Sequence, residues 1–242
     1  MQSTSPEYEA EEKITVDKNM DLYAVVFNRA TETDLTEDQL PQVDIYKYKQ
    51  VIFVGDSRTE FMENVLTGMG ESATKNVKFV CSAGKGLDWF TTTGWAQLYS
   101  IVQHDSNSIL SKKTAVIFNF GVNDLSKSAD YAEYYNWIAP QLKSKGCELY
   151  FMSVNPVNRL MLPNAGRADR SEAAVRSFNQ YMKANLSSAY TYIDMYSYLK
   201  STGYSFASDH YGTGTVDDGL HYTTRTYKRI FAKCMDSLRV PA

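Results

Sequence analysis

Ser57, Asp218 and His221 supply a hydroxyl, a carboxylate and an imidazole, and the last two are separated by only two residues. A serine hydroxyl is a weak nucleophile until a neighbouring base takes its proton. An imidazole serves as that base when an acceptor on its other ring nitrogen fixes the tautomer and stabilises the imidazolium. Asp218, three residues before His221, lies within one turn of chain and is suited to that task. The chemistry this set could perform is nucleophilic attack by Ser57 with His221 as proton carrier. Each member has a plainer reading. Ser57 also suits the N-cap of a helix. Asp217 stands beside Asp218, and Asp209 beside His210 forms a rival dyad; His104 lies in a polar helix end. Gly212-Thr213-Gly214-Thr215 lacks the Lys-Ser/Thr ending of a phosphate loop and is set aside.

Such residues must be carried to one place by the elements around them. From about residue 47 onward, short apolar runs alternate with longer amphipathic segments. Strands are predicted at 51–55, 78–83, 114–121, 148–154 and 191–195, and their near-continuous apolarity suits strands covered on both faces. Helices are predicted at 129–145, 169–188 and 223–238 from apolar residues recurring on one face. This alternation implies right-handed crossovers, a parallel five-stranded sheet and a three-layer α/β/α sandwich. Ligands of such sheets bind outside the carboxyl ends of the strands. The residues leaving the first four strands are Gly55-Asp56-Ser57-Arg58, Ser82-Ala83-Gly84-Lys85-Gly86, Gly121-Val122-Asn123-Asp124 and Asn155-Pro156-Val157-Asn158. All four are small or polar clusters.

The same clusters carry a family likeness. Gly55-Asp56-Ser57, Gly121-Val122-Asn123-Asp124 and Asp218-Gly219-Leu220-His221 resemble, in order, three of the sequence blocks of the SGNH (GDSL-like) hydrolases. A lone glycine forms another block; Gly84 fits it best and Gly86 is the rival. The resemblance spans roughly residues 50–238. It implies a flavodoxin-like fold and a serine esterase that works through an acyl-enzyme, without metal or organic cofactor. It also implies an oxyanion hole made of the Ser57 N–H, the Gly84 N–H and the Asn123 side-chain amide. The absence of G-x-S-x-G argues against a nucleophile elbow. Arg58, Gly86, Trp89 and Asn155 are candidate substrate contacts, although Arg58 equally suits pairing with an acidic neighbour and Trp89 suits core packing. The implied substrate is a small-molecule or glycan ester, with acetyl on a carbohydrate favoured. An acyltransferase on the same triad, a lipid or short-chain esterase, and a non-catalytic glycan-binding module are the alternatives.

Bulk properties narrow the field further. Of 242 residues, 43% are hydrophobic and 22% charged, with a formal net charge of −3, ordinary for a globular domain. No basic stripe marks a nucleic-acid partner, and no apolar run approaches the ~18–20 residues that span a bilayer. Cys81, Cys147 and Cys234 match neither a zinc pattern nor a disulfide framework and are read as buried free thiols. Residues 1–46 are read as a polar arm with a strand at Leu22–Phe27, and 47–242 as the catalytic domain. The N-terminus lacks a signal-peptide pattern. The phrase at 14–25, ITVDKNMDLYAV, resembles the closing strand of small β-repeats on bacterial surface proteins, which implies an extracellular or cell-surface setting. An extra strand packed on the domain, in a cytoplasmic protein, is the other reading.

Overall fold

The apolar runs form five parallel strands: β1 (Tyr48–Gly55), β2 (Val77–Cys81), β3 (Lys113–Asn119), β4 (Cys147–Met152) and β5 (Tyr190–Ile193). A computed structural model describes residues 34–43, 47–105, 113–158, 162, 170–207 and 218–238. The strand order is β2-β1-β3-β4-β5, the flavodoxin-like arrangement expected. Helices α1 (Ser57–Met69), α2 (Leu87–Trp89), α3 (Trp95–Asp105), α4 (Ser128–Ser144), α5 (Glu172–Asn185), α6 (Met195–Thr202) and α7 (Thr224–Ser237) fill the connections. A wide turn of helix, Phe90–Gly94, joins α2 to α3.

Alternation along each strand divides the core in two. Ile52, Val54, Val116, Phe118, Leu149 and Phe151 face a layer built from α3, α4 and α5. Val51, Phe53, Ala115, Ile117, Tyr150 and Met152 face the layer of α1, α6 and α7. These strand residues are 5% exposed or less, which explains why the runs read as continuously apolar. Leu40 and Val43, which composition placed in the N-terminal arm, are buried in the second layer. The strand expected at Leu22–Phe27 lies outside the described residues. No described helix is long and apolar enough to cross a membrane.

β1 starts three residues earlier than the expected 51, whereas β3 and β4 end two residues before the expected 121 and 154 for one reason. The apolar runs continue past the strand ends into Phe120, Val122 and Val154, all buried. These residues leave the ladder and pack beneath the helices, so apolarity overstates strand length. The three cysteines are free, but only Cys147 and Cys234 are buried. Cys81 is half-exposed because β2 is an edge strand, and its thiol donates to Glu63 Oε2 at 3.3 Å.

Candidate active site

In this parallel sheet the strand order reverses its direction of winding between β1 and β3, and the crevice at their carboxyl ends is where such folds bind ligands. Ser57 opens α1 there, directly after β1. Asp56 caps the helix by accepting the Arg58 N–H at 3.0 Å. As the first helical residue, Ser57 has an N–H with no acceptor inside the helix. Burial pushes the Asp56 carboxyl up to about 6, against the opposing pull of the Arg58 N–H and the Arg58, His221 and Arg170 charges.

His221 Nε2 lies 2.9 Å from Ser57 Oγ, and its Nδ1 lies 2.7 Å from Asp218 Oδ2. The carboxylate requires the proton on Nδ1, which leaves Nε2 free to accept from the serine. Asp218 Oδ1 also accepts the N–H groups of Leu220 at 2.9 Å and His221 at 2.8 Å. Burial works against its charge, but the His221 ring and these N–H groups outweigh it and hold the carboxyl below its usual range. Gly219 makes the turn possible. Its φ is +71°, and a Cβ there would stand 2.2 Å from the Asn158 carbonyl oxygen. Phe61, one turn along α1, stacks on the His221 ring with centroids 4.2 Å apart.

Asn123 leaves β3 toward the same crevice. Its Nδ2 donates to the Lys85 carbonyl at 2.7 Å, so it touches the peptide between Lys85 and Gly86. Its Oδ1 accepts from Arg170 Nη2, while Arg170 Nε donates to the Val122 carbonyl at 2.9 Å. Asp124 pins the same loop by accepting the Leu87 N–H at 2.9 Å and the Tyr131 hydroxyl at 2.7 Å. The two candidate glycines differ. Gly84 has φ +71° with open space around it, whereas a Cβ on Gly86 would stand 2.3 Å from Asp124 Oδ2.

The GDSL-like lipase/acylhydrolase family model matches residues 12–234. This chain belongs to that family. Solved structures agree on the fold. An acylhydrolase assigned in Bacteroides fragilis NCTC 9343 superposes with a TM-score of 0.54 at 15% identity, covering 83% of this chain and 92% of its own. An SGNH hydrolase assigned in Slackia heliotrinireducens gives 0.54 at 12% identity, with 80% and 100% covered. The acetyl xylan esterase AlAXEase gives 0.50 at 11%, with 78% and 100% covered. No curated protein matches the chain.

Other residues of this acylhydrolase-family chain fall differently from expectation. Arg58 forms no ion pair with an acid among the described residues: it is 2% exposed, and its guanidinium donates to the carbonyls of Leu220, Asn155 and Pro156 at 2.9, 2.9 and 2.8 Å. A guanidinium is a planar fork of donors, and three carbonyls meeting at one point capture it whole. Asn155 is 1% exposed, its side chain buried at the β4 exit. Trp89 is half-buried with its ring 6.1 Å from Phe120, which matches the packing alternative. Asp209, His210, Asp217 and Gly212–Thr215 lie outside the described residues, and so does the His104 side chain. Sequence reasoning missed Arg170 and Phe61. Phe61 follows Ser57 by four residues on a helix and was findable from that spacing. Arg170 stands 47 residues beyond Asn123 with no motif linking them.

Proposed function

We propose that the protein is a serine ester hydrolase acting through an acyl-enzyme. The observation that carries this reading is the Ser57 Oγ–His221 Nε2 separation of 2.9 Å, with Asp218 at 2.7 Å on the other ring nitrogen. Ser57 Oγ attacks the ester carbonyl as His221 takes its proton. The carbonyl π electrons move onto oxygen, giving a tetrahedral oxyanion. Collapse expels the alcohol, which takes the proton from His221, and leaves Ser57 acylated. Water, deprotonated by the same imidazole, then attacks the acyl carbon, and collapse of the second intermediate returns the serine.

The oxyanion needs donors aimed where charge develops. The Ser57 N–H and the second Asn123 amide N–H supply two. For the third we favour Gly86 over Gly84, because Asp124 leaves no room for a Cβ at Gly86 whereas Gly84 stands in open space. An acetyl or similarly short acyl group on a carbohydrate is the proposed substrate. Supporting it, the described rim beside Gly86 is polar: Lys85 is exposed, and an exposed Asp88 pairs with Lys127 at 2.9 Å. A polar leaving alcohol suits that rim better than a lipid chain does.

Ser57→Ala assayed on p-nitrophenyl acetate tests the chemistry; undiminished turnover by the folded variant would refute it. p-Nitrophenyl esters graded by chain length, followed by acetylated glycans, test the substrate. Preference for acyl chains of about eight carbons or more, where each buried CH₂ contributes about 0.8 kcal/mol, overturns the acetyl assignment.

A further inference from the structure

We propose that Arg170 is a positioning residue for the oxyanion hole, fixing which end of the Asn123 side chain faces the reacting carbonyl. The inference rests on the serine-hydrolase reading above.

An asparagine amide is nearly symmetric in shape and opposite in chemistry at its two ends. With Nδ2 toward the crevice, it donates to a developing oxyanion. Flipped, it would present a carbonyl oxygen to that same negative charge and repel it. Nothing in the side chain itself selects between the two. Arg170 does, because a guanidinium carries donors only and accepts nothing. Its Nη2 meets Asn123 Oδ1, so the flipped state would place an NH₂ group against an NH₂⁺ group. The Lys85 carbonyl, 2.7 Å from Nδ2, selects the same orientation from the other side. An amide NH₂ has two donors. One is committed to Lys85, and the other remains for substrate.

Arg170 is itself held firmly enough to do this. It is 3% exposed, and its Nε grips the backbone carbonyl of Val122, the residue before Asn123. The fork therefore spans the main chain and the side chain of one turn. At its root, Ser171 caps α5 by accepting the Ala174 N–H at 3.1 Å. That helix is tied to the β4 exit. Asn179 pairs with both the N–H and the carbonyl of Val154 at 2.7 and 2.8 Å, and Glu172 accepts the Val157 N–H at 2.8 Å. A cation on Oδ1 also draws electron density from the amide and strengthens Nδ2–H as a donor.

The test is a cycle of Asn123→Ala, Arg170→Gln and the double variant on p-nitrophenyl acetate, with kcat and KM separated and folding followed by thermal melting. Asn123→Ala is expected to lower kcat about 10²–10³-fold. Arg170→Gln is expected to lower it roughly 10–100-fold with KM changed by less than about threefold. The double variant should be no worse than Asn123→Ala, because Arg170 acts through the amide. Arg170→Lys, which keeps the charge but loses the fork, should fall between wild type and Arg170→Gln. It carries the same cycle if the glutamine variant does not fold. Full kcat in the Arg170 variants beside an impaired Asn123→Ala overturns the inference, and so do losses that multiply in the double variant. An Asn123→Ala enzyme with wild-type kcat overturns the oxyanion assignment and this inference together, while the Ser57 experiment reports on the nucleophile separately.

Discussion

Arg58 Nε donates to the Leu220 carbonyl at 2.9 Å, so the residue after Ser57 holds the residue before His221. The two partners are 162 positions apart in the chain. The same guanidinium ties down the β4 exit through Asn155 and Pro156, and its face lies over the Tyr222 ring at 5.2 Å. One side chain thus joins the start of α1, the β4 exit and the Asp218–His221 turn.

Removing that clamp should cost both stability and rate. Arg58→Ala leaves the buried Leu220 and Asn155 carbonyls without this donor, while Pro156 keeps the Tyr222 hydroxyl, at about 1–3 kcal/mol for each group left unsatisfied, with the sum reduced by relaxation and water entry. We expect a loss of roughly 3–5 kcal/mol in denaturant unfolding and a fall in kcat larger than any change in KM. Arg58→Lys should recover only part of either, since an ammonium lacks the planar fork. A fully stable, fully active Arg58→Ala variant would show that the clamp is dispensable.

Asp218→Asn separates geometry from tautomer. The asparagine Oδ1 can still accept the Leu220 and His221 N–H groups that now meet Asp218. Its NH₂ group would face His221 Nδ1, however, and move the ring proton to Nε2, where it blocks acceptance from Ser57. A kcat loss of about 10³–10⁴-fold with little change in melting temperature is expected. Retention of more than a tenth of the activity would mean that Asp218 does not set the tautomer.

Alanine at the two loop glycines should distinguish them. Gly86→Ala drives a methyl to within 2.3 Å of Asp124 Oδ2 and displaces the peptide that Asn123 touches. Gly84→Ala meets no neighbour and pays only for its left-handed φ of +71°, about 1 kcal/mol. Gly86→Ala should therefore lower kcat by at least tenfold, and Gly84→Ala should act mainly on stability. The reverse order of kcat effects would return the oxyanion role to Gly84.

Acid stability should depend on Glu148, at the opposite end of the sheet from the crevice. Its carboxylate meets Lys113 at 2.6 Å and Lys47 at 3.4 Å and accepts the Tyr48 hydroxyl. Burial opposes its charge, but the hydrogen bonds from Lys113 and Tyr48 and the Lys47 charge outweigh it and lower the carboxyl to about 2. A depressed carboxyl contributes stability above its unfolded pKa, and that contribution is lost as pH falls from about 4.5 to about 2. Glu148→Gln should melt lower than wild type at pH 7, and the gap should close toward pH 2. A gap independent of pH would remove Glu148 from the acid transition.

The order of strands and helices was legible because buried parallel strands leave continuous apolar runs and surface helices leave one-sided ones. The strand ends were less so, since Phe120, Val122 and Val154 are as apolar as the strands they follow but pack under helices instead of pairing. The Asp218–His221 turn was legible because its partners are near neighbours, and a local turn with Gly219 at φ +71° brings them together.

What the sequence by itself determined is therefore the five strands and the helices α4, α5 and α7, the residue types at the strand exits and the local Asp218–His221 turn. The tertiary structure decided that β1 and β3 lie side by side, which brings the Ser57 and Asn123 exits to one crevice. It also assigned the two buried arginines, Arg58 to three carbonyls and Arg170 to the Asn123 amide and Val122. The physical reason is that backbone carbonyls are the same at every residue. A side chain whose partners are carbonyls distant in sequence leaves no pattern in that sequence, and only the packed fold reveals where its hydrogen bonds go.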